Sequence, residues 1–272
     1  MTRAKSLRRT IAAAPHLVWS VMFIVAPLIF VLYYAFTAKD GSFSFENILN
    51  LFTADYITIF LRSLCFAVIA TCICLLIAYP LAYFISRMKK HTQAILILII
   101  MLPMWMNLLI RTYCWMNLLE TNGLINRLLG TEWTMLGTSG AVILGMVYNF
   151  LPYMVLPICT VMQKLDNSLL EAAGDLGCNS LVAMVKVVMP LSLSGVISGI
   201  TMVFVPCIST FYISQKMGGG SFDLVGDTIE RQFMANTNYN MGAALSLVLM
   251  VLVLLSMAVM NRFGDEDGGV VV

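Results

Sequence analysis

Charge is what this 272-residue sequence has least of: Lys, Arg, Asp and Glu supply 11% of it, against the ~25% usual in a soluble domain. Sixteen basic residues nearly cancel fourteen acidic ones, leaving +2, so no global basic field attracts nucleic acid. Histidine occurs only as His16 and His91, both in polar flanks, and an isolated imidazole lacks the partners that metal or base chemistry needs. None of the seven cysteines forms a C-x-x-C pair. Cys65, Cys72, Cys74, Cys114, Cys159 and Cys207 fall in apolar stretches and Cys178 in a loop, so neither a disulfide framework nor a zinc site is indicated. No glycine precedes a lysine, which rules out a P-loop; any ATP that drives the protein is bound by another subunit. No cofactor and no catalytic residue are expected in this chain. Gly137-Thr138-Ser139-Gly140 spells a G-x-S-G serine-nucleophile pattern, but no histidine in an apolar run can serve as its base. It reads as a small-residue loop.

What fills the sequence instead is apolar: 60% of residues are hydrophobic and mean hydropathy is +0.89. A span needs about 20 apolar residues to cross a ~30 Å hydrocarbon core. Six stretches qualify: residues 17–36, 63–86, 94–115, 141–162, 191–213 and 242–260. The first follows Arg3, Lys5, Arg8 and Arg9 like a signal sequence but exceeds an h-region in length, so it reads as an uncleaved span. The expectation is an all-α, polytopic protein of six transmembrane helices, with residues 1–272 as a single membrane domain.

Basic residues in short connections mark the cytoplasmic side. Ten of them, the N-terminal four with Arg87, Lys89, Lys90, Lys164, Lys186 and Arg262, share one side; Lys39, Arg127, Lys216 and Arg231 lie opposite. Both termini are therefore expected in the cytoplasm of a cell whose plasma or inner membrane holds the chain. Asp40, Glu46, Asp55, Glu120, Glu132, Asp223, Asp227 and Glu230 then face outside. Arg62 and Arg111 sit near outer helix ends, where a long side chain snorkels to the interface or, alternatively, lines a pathway.

The connection over residues 163–190 far exceeds the 2–8 residues usual between packed helices. Ser168-Leu169-Leu170-Glu171 is a capping box that starts a short helix at Leu169. Leu165, Leu169, Ala172 and Leu176 share one face, and Gly177 supplies a left-handed stop. Ser180 then caps a second helix, residues 181–189, which Pro190 ends. Ala172, Ala173 and Gly177 leave room for a partner surface. Glu171 and Asp175 occupy the polar face, where a bilayer-lying helix would carry Lys or Arg.

Glu171-Ala172-Ala173, three residues, Gly177, nine residues, Val187, one residue, Met189-Pro190: this pattern resembles the EAA loop of ABC importer permeases. Val187 and Met189 replace the usual Ile and Leu conservatively. Ala78-Tyr79-Pro80-Leu81-Ala82-Tyr83, residues 102–113 (LPMWMNLLIRTY), residues 151–157 (LPYMVLP) and Met217-Gly218-Gly219-Gly220 look like the B-type permeases of spermidine/putrescine importers, over nearly the whole chain. The resemblance implies a type I importer fold that forms half of a translocation pathway. It also implies pairing with a second permease subunit, two ATPase subunits docked on Ser168, Glu171, Ala172, Ala173, Asp175 and Gly177, and an extracytoplasmic polyamine-binding protein.

Independently, Asp223, Asp227 and Glu230 recur at i, i+4 and i+7, an acidic stripe if helical. Carboxylates and aromatic faces together suit a polyamine. Trp105, Tyr148, Phe204, Phe211 and Tyr212 are candidate faces, with core packing and a solvated helix surface as the ordinary alternatives. Asn149, with Pro152 and Pro157 after it, suggests a cavity or kink at membrane depth. Gly195 and Gly199, beside Ser194 and Ser198, form a GxxxG stripe suited to close helix contact. A related importer for another solute, an ion-coupled carrier and an intramembrane enzyme are the competing readings. The apolar runs contain no Asp or Glu, which argues against the carrier.

Overall fold

The computed structural model describes residues 14–38, 40–166 and 168–264. Arg3, Lys5, Arg8, Arg9 and Lys39 lie outside the described residues, as do the side chains of Ser180 and Leu181. The helices are α1 Ala14–Ala35, α2 Glu46–Asn50, α3 Ala54–Ser86, α4 Lys90–Met101, α5 Leu108–Leu119, α6 Leu124–Leu129 and α7 Ser139–Met162. They continue as α8 Ser168–Asp175, α9 Ser180–Ala183, α10 Met189–Leu191, α11 Leu193–Ser209, α12 Tyr212–Met217, α13 Val225–Met234 and α14 Tyr239–Gly264. Among the described residues there is no strand, only an isolated bridge between Thr37 and Phe43.

Two of the six expected spans are broken. The third runs straight only to Trp105, ending in the 3₁₀ turn Leu102–Trp105, and then bends by 91°. Pro103 opens that turn, and the Asn107 side chain accepts a hydrogen bond from the Leu109 amide at 2.8 Å to start α5. A proline followed by an Asn cap overrides an unbroken apolar run. The fifth bends by 64° at Ser192, and α11 stops at Ser209 rather than continuing to Ile213. Pro190 does not end its helix. The π-turn Met184–Val188 widens the backbone just before it and lets the proline enter α10. The same device, π-turn Val21–Val25, precedes Pro27 in α1. The second span begins earlier than expected and runs 33 residues.

The chain divides into two compact units, Met1–Ile57 with Thr228–Val251, and Thr58–Asp227 with Leu252–Val272. In the first, Asn47 donates to the carbonyls of Ala35 and Thr37, and Asn240 donates to those of Tyr34 and Thr37, fixing the loop after α1. A cavity of about 490 Å³ opens there among Glu46, Asn47, Asn50, Tyr56, Gln232 and Asn238.

The second unit is built around α7 packed along α11. Gly195 and Gly199 form the seam: a Cβ on Gly195 would lie 2.9 Å from the Pro157 carbonyl oxygen, and one on Gly199 2.7 Å from Met154 Sδ. The GxxxG stripe thus serves a close approach of two helices inside this chain. Farther along α7, Gly145 receives α12, where an added Cβ would lie 2.4 Å from Met217 Sδ. Met146, Met154, Ile158, Ile208, Ile213 and Met217 are fully buried around this seam.

Candidate functional site

The 163–190 connection folds as two short helices, with caps that differ from those expected. Asp166, not Ser168, closes the start of α8: its carboxylate accepts from the Ser168 amide at 3.0 Å. The Ser168 amide and hydroxyl hold that carboxyl below its ordinary pKa. Asn179 accepts from the Val182 amide at 2.8 Å and so takes the capping role expected of Ser180. A carboxylate or amide two or three residues ahead of the first free amides reaches them as well as a hydroxyl does.

Gly177 stops α8 as expected, with φ +80°. The Cys178 amide bonds the Ala173 carbonyl and the Gly177 amide bonds that of Gly174, the paired closure of a Schellman motif. Of the small residues, Ala173 is buried while Ala172 is exposed, and nothing lies within 4 Å of a Cβ built on Gly174 or Gly177. Leu176 is 85% exposed and Leu169 44%. Ser168, Glu171 and Asp175 are exposed too. The face of α8 is therefore assembled, apolar in part, and uncovered by the described residues.

The acidic trio does not form a stripe. α13 begins at Val225, so Asp223 precedes the helix. Asp227 is buried: its two oxygens accept from Ser214 Oγ at 2.8 Å and from the Leu224 amide at 3.0 Å. Beside it the Val225 amide donates to Ser63 Oγ at 2.8 Å. Gly226 lets this helix start approach the helix break after α11; a Cβ there would lie 2.6 Å from the Thr210 carbonyl oxygen. Asp227 and Ser63 thus clasp the start of α13 to α12 and α3. Asp223 and Glu230 are half-buried.

Among the aromatic candidates, Tyr148 meets Trp115 edge to face at 5.3 Å. Trp105 is 75% exposed and Phe211, at the break after α11, is exposed, while Phe204 is buried. Asn149 is buried; its amide donates to the Gly145 carbonyl, and its Oδ1 meets no donor among the described residues. Arg62 lies over the Phe222 ring at 5.7 Å. Arg111 is half-buried, with its Nε and Nη1 enclosed without an acceptor among the described residues. Thr138 caps α7 by accepting from the Ala141 amide, so the G-x-S-G segment is a helix entry.

One cluster joins the candidate Tyr212 to two residues that sequence reasoning does not single out. Tyr113 of α5 and Tyr212 of α12 meet edge to face at 6.5 Å. The Lys216 ammonium stands over both rings, 5.8 Å from one centroid and 6.0 Å from the other. The Tyr212-x-x-x-Lys216 spacing, one helical turn, is the signal that could have found it.

The chain is 37% identical over 256 residues to the spermidine/putrescine transport system permease protein PotB of Haemophilus influenzae, covering 90% of each. It is 34% identical to PotB of Escherichia coli K12 over 90% of this chain and 93% of that one. The chain belongs to the PotB family of transport permeases. No family model matches it. Its fold is that of solved ABC importers. The permease matches a crystal structure of a bacterial alginate ABC transporter in complex with a pentasaccharide-bound periplasmic protein with TM-score 0.82, at 14% identity and 98% coverage. It matches the inward-facing methionine transporter MetNI with TM-score 0.57 at 15% identity over 78% of this chain. It is 30% identical over 81% of its length to the inner membrane ABC transporter permease protein YdcU of Escherichia coli K12, and it is accordingly a multi-pass ABC transporter permease, all-α among the described residues.

Proposed function

We propose that this permease imports polyamines, spermidine and putrescine, as one half of a heterodimeric translocation pathway. The observation that carries the reading is its likeness to PotB proteins of two bacteria across nine-tenths of the chain. In this reading two ATPase subunits dock on the uncovered face of α8 from the cytoplasm. An extracytoplasmic binding protein delivers cargo on the opposite side, and both termini are cytoplasmic. The loop supports it: Gly174, Gly177 and Ala172 present an open surface on a helix whose two ends are closed by Asp166 and the Schellman bonds. A docking element has to be rigid and uncovered before its partner arrives, since ordering it on contact would cost binding energy.

The assembled importer, reconstituted in vesicles with ATP inside, should take up radiolabelled spermidine in a binding-protein-dependent way. Ala172→Trp adds bulk at an exposed helical position and leaves the Gly177 turn intact. It should abolish uptake with the protein still in the membrane. Unimpaired ATP-driven uptake by Ala172→Trp would remove α8 as the docking element, and no spermidine uptake by the wild type would remove polyamines as cargo.

A further inference from the structure

A lysine side chain is a four-carbon stem carrying a primary ammonium, the same chemistry as one end of putrescine. In this structure such a group stands over two tyrosine rings that lie nearly perpendicular, at 81°. Both distances fall within the ~6 Å reach of a cation–π contact. The Lys216 ammonium interacts with the Tyr113 hydroxyl as well as with the two rings. Tyr113 is 47% exposed, and Tyr212 and Lys216 are half-buried, so the cluster is open to a ligand.

Its place in the fold points the same way. Tyr113 lies on α5, the half of the third span beyond the 91° bend, and Tyr212 on α12, beyond the break that ends α11. α5 and α12 pack together, so the pair forms where the far halves of two discontinuous spans meet. Non-helical backbone at membrane depth is tolerated only where it is buried in protein or lines a water-filled cavity.

We propose that Tyr113 and Tyr212 form a binding site for an alkylammonium group, and that Lys216 fills it as a tethered stand-in until the ammonium end of cargo displaces it. The inference rests on the polyamine reading for the identity of that cargo. An exposed cation–π contact is weak, which is what a displaceable occupant requires. The tether holds Lys216 one turn from Tyr212, so the ammonium end of cargo has to displace it to reach the rings.

The test uses the full chain in nanodiscs and radiolabelled putrescine in equilibrium dialysis. Lys216→Met keeps the stem and removes the charge, and should bind putrescine roughly two- to five-fold more tightly than wild type. Tyr113→Leu with Tyr212→Leu should lose saturable binding, and Tyr113→Phe with Tyr212→Phe should retain it because the rings remain. Equal or weaker binding by Lys216→Met, or wild-type binding by the double Leu variant, overturns the proposal. So does an absence of saturable binding in both wild type and Lys216→Met. The assembled importer separates this from the cargo assignment. The expected binding pattern without any spermidine uptake leaves the ammonium site standing and removes polyamine transport. Uptake without that pattern removes the site alone.

Discussion

Asp227 shows how one side chain can look like a cargo ligand in sequence and act as a fastener in structure. Its two oxygens are committed to Ser214 and the Leu224 amide in a buried setting. Removing one partner leaves buried donors unsatisfied, at about 1–3 kcal/mol. Asp227→Ala should therefore lower the unfolding temperature in detergent. An unchanged melting temperature with uptake lost would return Asp227 to the cargo's route. Asp166 sets a pH dependence at the opposite end of the chemistry. Its folded pKa is lowered from 3.8 by Ser168. The cap is thus fully present above that ordinary value and lost as pH falls through the lowered one. Amide hydrogen exchange at the first turn of α8, corrected for its intrinsic pH dependence, should lose protection only in that acid window. Asp166→Ala should lack the protection at every pH.

At the scale of elements, the seam between α7 and α11 tolerates no added bulk. Gly195 would place a Cβ against backbone, the Pro157 oxygen at 2.9 Å and Ile158 Cα at 3.1 Å. Backbone cannot swing aside as a side chain can. Gly195→Ala should cost about 1–3 kcal/mol by overpacking, whereas Gly174→Ala, with nothing within 4 Å, should be neutral or slightly stabilising in chemical denaturation. This seam is legible in the sequence because a GxxxG stripe has one common physical use. The six apolar runs, the α8 stop at Gly177 and the family pattern of residues 171–190 are legible for similar reasons. The bends are not. Pro103 and Asn107 sit four apart inside a run whose hydropathy never falters, and a window average does not register a cap. The Asp223–Glu230 spacing misleads because periodicity presumes a helix, and α13 starts two residues after Asp223. In sequence Lys216 counts for its sign in the topology and not for its neighbours, since Tyr113 is remote along the chain and only the fold brings it near.

For the whole molecule, the charge distribution of the loops fixes the expected sidedness: a reporter fused after Val272 should be cytoplasmic, and an external signal would invert the assignment of every loop. The length of α3 adds a relation to the lipid itself. Its 33 residues measure about 50 Å at ~1.5 Å per residue, and the apolar part from residue 63 onward about 36 Å. A hydrocarbon layer of ~30 Å is matched when that part leans by roughly 30–35°, within the observed range of tilts. Asp55 and Arg62 then stay beyond the acyl chains at any smaller lean. The spans 17–36 and 242–260 measure only about 30 Å upright, so they, and not α3, limit the thickness the protein tolerates. Uptake by the reconstituted importer in lipids of graded acyl length should accordingly decline once the hydrocarbon layer exceeds about 30 Å, and undiminished uptake at about 36 Å would contradict this. The surplus length of α3 is then a matter of lean, set by the helices packed along it.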